Sequence, residues 1–290
     1  CLDIDLVEKA ITKKTKAIIA VNLFGHPAKL DDLKKICEKH NLKLIEDNAQ
    51  APLAKINGQF AGTVGDIGIF SLNYHKHIHC GEGGICVTKD EKLAFRLQAI
   101  RNHGENIVEP KNISPINMIG FNYRMTEMSA AVAYTQLKKI RKEVYKRKKL
   151  AEFLSDGIKG LEGLQAPLVE DNCEHVYYCW ALKINEKTLG ISREKFSQAL
   201  SAEGFPLSTG YVKPLYLLPA FQKRIAIGGN GWPFNLTDRI YKKGLCPVTE
   251  SMFESELITF ETCSHKFNKN LANKLVEAIR KVHSNRKLLK

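Results

Sequence analysis

The stretch GDIGIFSLNYHKHIHCGEGGICVT (65–88) decides the fold. It opens on a short run of β-branched and aromatic residues, IGIFSL (67–72), and breaks into polar residues and histidines. It then passes a glycine cluster at Gly81, Gly83 and Gly84 and re-enters an apolar run, GGICVT (83–88). Runs of this length bounded by turn residues read as buried strands. Upstream, AIIAV (17–21) and LKLIE (42–46) repeat the signal. Helical stripes separate the strands: Leu6 and Ala10; Leu30, Leu33 and Cys37; and, beyond the stretch, Leu93, Leu97 and Ile100. Strands alternating with amphipathic helices predict an α/β domain with a largely parallel sheet. In such sheets ligands bind beyond the carboxyl ends of the strands. Attention therefore falls on the residues that follow each run.

Two such residues are Asp47, closing LIED, and Ser71, closing IGIFS. A terminal aspartate is common turn chemistry; it also suits an acidic partner for a cationic ring. Gln50 follows three positions later with an amide able to hydrogen-bond a ring substituent. Lys76 stands five residues after Ser71, whose hydroxyl can meet a phosphate oxygen. On its own Lys76 would be a surface loop residue. Beside Ser71, Asp47 and glycines that let the backbone turn tightly, it becomes the candidate reactive amine.

Beyond this region, a long helix is predicted from near Thr126, and the pattern loosens after Gly157. VYYCWALKI (176–184) reads as a strand, and a helix around Phe196, Ala199 and Leu200 is closed by Gly204. A last amphipathic helix carries Leu271, Leu275, Ile279 and Val282. The division expected is a large domain over 1–145 and a smaller α+β domain over 146–290.

The composition narrows the function classes. The 290 residues are 44% hydrophobic and 26% charged, typical of a globular protein, and no apolar run approaches a membrane span. A cytoplasmic setting is expected, with the eight scattered cysteines reduced. The formal charge of +13 raises nucleic acid as a partner. The densest basic run, KKIRKEVYKRKK (138–149), carries Leu137, Ile140 and Val144 at helical spacing, however, and reads as the solvated face of a helix. The histidines of HKHIH (75–79) lack a carboxylate or cysteine cluster at ligand spacing, so no metal is expected.

IEDNAQA (45–51), GDIGIFSLNYHK (65–76), GEGG (81–84), RNHG (101–104) and GFNYRMTEMSAA (120–131), in this order, resemble the DegT/DnrJ/StrS family of sugar aminotransferases. YVKPLY (211–216) and GLCPVTE (244–250) are weaker landmarks. The resemblance implies a fold-type I enzyme dependent on pyridoxal 5'-phosphate (PLP). Its large domain would be a three-layer α/β/α unit, incomplete at its N-terminus, joined to a small α+β C-terminal domain. By resemblance, Lys76 would bind the cofactor covalently and shuttle a proton, Asp47 would pair with the pyridinium, Gln50 would contact the phenolic oxygen and Ser71 the phosphate. Asn122 would reach the phosphate in a neighbouring subunit, which implies a homodimer with shared sites. Arg124 and Glu82, in the same motifs, are expected to be structural. The implied substrates are a nucleotide-linked keto-sugar and an amino-acid donor, glutamate being usual. Some relatives are dehydratases in which histidine replaces the lysine; Lys76 favours transamination. A non-catalytic regulator on the same fold is the remaining alternative. The family also carries a further segment in front, so a truncated N-terminus is expected.

Overall fold

The computed structural model describes residues 1–105, 118–263 and 267–290. The chain forms two compact units. The first holds Cys1–Lys149, joined by Val169–Cys179 and the segment starting at Thr262; the second holds Leu150–Leu168, Trp180–Glu261 and Phe267–Lys290.

The first unit is built on a four-stranded sheet, β1 (Ala17–Val21), β2 (Lys43–Asp47), β5 (Ile67–Ser71) and β6 (Gly84–Val87), in that order. β1, β2 and β5 are parallel, as the alternating pattern predicts, whereas β6 runs antiparallel to β5. The short loop 72–83 lacks the crossover helix that a parallel return requires. A separate sheet has the order β4 (Gln59–Phe60), β3 (Lys55–Ile56) and β8 (Cys173–Glu174), with β3 antiparallel to both neighbours.

Helices α1 (Ile4–Ala10) and α2 (Leu30–Lys39) precede and follow β1, and Leu30, Leu33 and Cys37 of α2 bury with Ile18, Ala20 and Leu44 in one core. This is what the spacing of those apolar residues dictates. α3 (Glu91–Arg101) is capped by Asp90, whose carboxylate accepts from Lys92 and Leu93 N–H. The long helix expected from Thr126 is instead two, α4 (Glu127–Leu137) and α5 (Ile140–Gly157), with a break at Lys138 and Lys139.

In the second unit, β10 (Ser208–Thr209), β11 (Leu257–Glu261), β9 (Cys179–Ile184) and β7 (Leu164–Gln165) form a sheet in that order. Its helices are α6 (Glu186–Leu189), α7 (Arg193–Ala202), α8 (Pro219–Gln222), α9 (Pro247–Ser251) and α10 (Lys269–Ser284). α7 ends as the sequence suggests, on Gly204 at φ +91°. The strand expected from Val176 begins only at Cys179, because Tyr177 takes φ +51° and leaves the extended region.

Candidate active site

Parallel pairing of β2 and β5 sets Asp47 opposite Ile69. Side chains alternate along a strand, so Ser71, two residues and about 7 Å further on, shares the face of Asp47. Both residues stand at carboxyl ends of neighbouring parallel strands. Asn48 N–H donates to the Ile69 carbonyl at 2.8 Å, which locks the two ends together.

After Ser71 the chain turns back at once. Ser71 Oγ accepts from Asn73 N–H at 3.2 Å, and Lys76 N–H donates to the Asn73 carbonyl at 3.0 Å. Leu72 then bonds Gly83 and Cys80 bonds Leu72, closing the loop over the glycine cluster. Lys76 therefore sits on a tight turn in the loop that follows β5. Glu82 accepts from the Asn73 side chain at 2.6 Å, which buttresses that turn. Asp47 also serves its own turn, accepting from Ala49 N–H at 3.1 Å.

Gln50 is tied by its side-chain carbonyl oxygen to the turn after β1. Its Oε1 accepts from Phe24 N–H at 2.7 Å, and Phe24 holds φ +59° in the turn after β1. Asn122 occupies another segment: it bridges Asn102 at the end of α3 and is exposed, between exposed Phe121 and Tyr123. Arg124 donates to Asn102 Oδ1 at 2.7 Å, a structural bond. Met125 carries this segment to the glycine loop, since a Cβ on Gly83 would lie 2.8 Å from its Cε.

Near Lys76 the sequence weighed His77 only as a metal ligand and did not single out Arg147 or Tyr178. His77 is buried; its Nδ1 accepts from Arg147 at 3.0 Å, with Cys263 Sγ 3.5 Å away. Burial, with the Arg147 cation adding to it, pushes the His77 pKa down to about 3, so the ring is neutral. Arg147 belongs to the basic run read as a solvated face. Its place, three residues after Val144 and seven after Ile140, puts it on the buried stripe instead, and that spacing was the available signal. Tyr178 is the third: its buried ring lies 4.8 Å from Lys76 Nζ. No pattern in VYYCWALKI sets Tyr178 apart from its neighbours. Among the described residues no group of three or more His, Cys, Asp and Glu side chains gathers to hold a metal ion, and no helix is long and apolar enough to cross a membrane.

The family model for the DegT/DnrJ/EryC1/StrS aminotransferase family matches residues 1–259. The chain belongs to this family. Among similar proteins, the dTDP-3-amino-3,4,6-trideoxy-alpha-D-glucose transaminase of Streptomyces venezuelae is 34% identical over 221 residues, covering 76% of this chain and 55% of that protein. The GDP-4-keto-6-deoxy-D-mannose 3-dehydratase of Yersinia pseudotuberculosis is 33% identical over 243 residues, covering 78% and 61%. The solved structure of S. venezuelae DesV in complex with a ketimine intermediate matches 97% of this chain and 69% of its own, at TM-score 0.81 and 30% identity. The chain thus spans 55% and 61% of the length of these two curated relatives. The mixed α/β fold is the fold-type I arrangement of the DegT family, as the sequence led one to expect.

Proposed function

We propose that this chain carries the Lys76-centred site of a PLP-dependent aminotransferase that passes an amino group from an amino acid, with glutamate as donor, to a nucleotide-linked keto-sugar. The observation that carries the reading is the shared strand-end face of Asp47 and Ser71, with Lys76 on the Asn73 turn that directly follows Ser71. This donor set fits the cofactor: a carboxylate for a ring nitrogen, a hydroxyl for a phosphate and an amine for an aldehyde. Bound there, PLP would supply an electron-accepting ring for the carbon that loses its proton.

The chain's own residues supply the rest. The Asp47 carboxylate favours a charged ring nitrogen. Ser71 Oγ offers a phosphate contact beside glycines whose backbone approaches closely. Gln50, its Oε1 tied to Phe24, carries an amide NH2 of the kind that donates to an anionic ring oxygen. The Lys76 amine would attach the cofactor and, as a free amine, would move a proton as acid and base. Lysine at this position favours transamination over the dehydratase chemistry named for some relatives.

Asn122 enters this reading through a homodimer, contacting the phosphate in the neighbouring subunit. The support is its setting in a strip of exposed apolar side chains, Ile119, Phe121, Tyr123, Met128, Val132 and Tyr134, of the kind that marks a protein interface.

Borohydride reduction of the PLP-loaded chain, followed by peptide mapping, tests the central assignment. A pyridoxyl mass on Lys76 is expected; the label on another lysine removes the proposal.

A further inference from the structure

The Lys76 ammonium lies over a tyrosine face, with Nζ 4.8 Å from the Tyr178 ring centroid. Tyr178 is 1% exposed, so the ring side of this contact is dry. The ring is also held by its backbone on both sides. Val176 N–H donates to the Gly25 carbonyl at 2.9 Å, and Thr262 N–H donates to the Tyr178 carbonyl at 3.1 Å. Thr262, itself buried, adds its hydroxyl to the Tyr177 carbonyl. Gly25 adopts φ +99°, and a Cβ there would stand 2.9 Å from both Tyr177 N and Tyr178 N. Only glycine lets the two segments close this far. The rings of His75 and His77 flank Tyr178, each with its centroid 6.2 Å away.

We propose that Tyr178 is a positioning residue for the Lys76 amine, its ring face holding the protonated form in one place beside the strand ends. A lysine stem has many rotamers, and a fixed aromatic face selects among them by attracting the charge. Other charged or titratable groups around the pair are His75 and His77 on the same turn, Arg147 from α5, His175 on the Tyr178 segment and Asp47 at the next strand end. His77 stays neutral and so adds no second cation beside the ammonium. A contact of this kind, dry on the ring side and half-exposed on the lysine side, favours the charged amine by up to about tenfold, or roughly one pH unit. The catalytic meaning rests on Lys76 being the reactive lysine; the contact itself does not.

The test uses the full chain without cofactor. The pKa of the Lys76 amine is read by pH-dependent competitive acetylation and mass spectrometry of its peptide. Tyr178→Phe keeps the face and is expected to leave that pKa within a few tenths of a unit of the parent value. Replacing residue 178 with phenylalanines bearing one, two and three ring fluorines keeps the shape while weakening the face. The Lys76 pKa should fall stepwise, by about one unit over the series. A flat series overturns the proposal, as does a full-unit fall in Tyr178→Phe, which would assign the effect to the hydroxyl. Tyr178→Leu should match the end of the series; because it can disturb a buried position, the fluorinated set decides. Stepwise decline without borohydride labelling of Lys76 would sink the catalytic reading alone, and labelling with a flat series would sink the positioning role alone.

Discussion

The two faces of the first sheet differ in what they bury. On one face Ile18, Ala20 and Leu44 are sealed beneath α2, and even the charged residue there, Glu46, is wholly buried. Glu46 survives burial because its carboxylate accepts from Gly62, Val64 and Gly65 N–H at 2.5–2.7 Å, which satisfies the anion with oriented donors. Gly68 makes this possible, since a Cβ there would stand 1.9 Å from the Gly62 carbonyl oxygen. On the other face Ile19 and Val21 are exposed, Ile45 is half-buried, and Asp47 and Ser71 complete the row. One face spends its residues on folding and the other presents chemistry. Neighbours in sequence, Glu46 and Asp47, are carboxylates with opposite duties.

The largest effect that sharpens this contrast is expected at Lys76. Lys76→Ala should lower the unfolding free energy by no more than about 1.5 kcal/mol, the worth of its Tyr178 contact, while transamination falls by several orders of magnitude, since attachment point and proton carrier are lost together. Steady-state rates with an amino-acid donor and denaturant melts on the same preparation check both halves. Leu44→Ala should do the reverse. A fully buried leucine lost from the α2 face costs about 2–5 kcal/mol. A Leu44→Ala chain as stable as the parent would mean that this face is not the folding core.

The parts that were legible in the sequence are those fixed by local rules. Short apolar runs and helical stripes located β1, β2, β5, α2 and α10, and the strand-end rule picked Asp47 and Ser71. What stayed hidden depends on partners distant in sequence. The antiparallel turn of β6 follows from the absence of a crossover helix, which apolar runs do not reveal. Arg147 was hidden by composition, because one inward cation in a basic run looks like its exposed neighbours. Tyr178 was hidden by topology, since a segment about a hundred residues away returns to Lys76. Glu46 reads as an ordinary strand residue until three backbone donors surround it.

Glu46→Gln is the next step down in effect. Both carboxylate oxygens accept from backbone N–H, so an amide NH2 must face a donor. The expected cost is about 1–3 kcal/mol, measured in urea. Acid should weaken the fold through the buried histidines. His77 and His175 both titrate near pH 3 when folded, held down mainly by burial, against 6.5 in their ordinary state. Below pH 6.5 the unfolded chain binds protons that the folded chain refuses. Their stabilisation is therefore whole above pH 6.5 and is lost as pH falls toward 3, by up to about 1.4 kcal/mol per pH unit for each histidine. His77→Gln should flatten the slope of stability against pH in that window; an unchanged slope would mean that His77 takes up its proton while folded.

The smallest expected effect is the most direct test of the two faces, because it places one substitution at adjacent positions. Ile18 is 8% exposed and Ile19 is 59% exposed, and they point to opposite sides of β1. Threonine keeps the β-branching that suits a strand, so backbone preference nearly cancels between the two variants. Ile18→Thr sets a hydroxyl against Leu44 and α2 and should cost about 1–3 kcal/mol for the unpartnered polar group, besides the apolar atoms removed. Ile19→Thr trades surface already in water and should stay within about 0.5 kcal/mol. Urea melts of both variants at low micromolar concentration give the comparison. Equal costs would show that the outer face is packed in solution. Repeating the Ile19→Thr melt at tenfold higher concentration would then separate a second copy from a contact within the chain, because only association makes the loss depend on concentration.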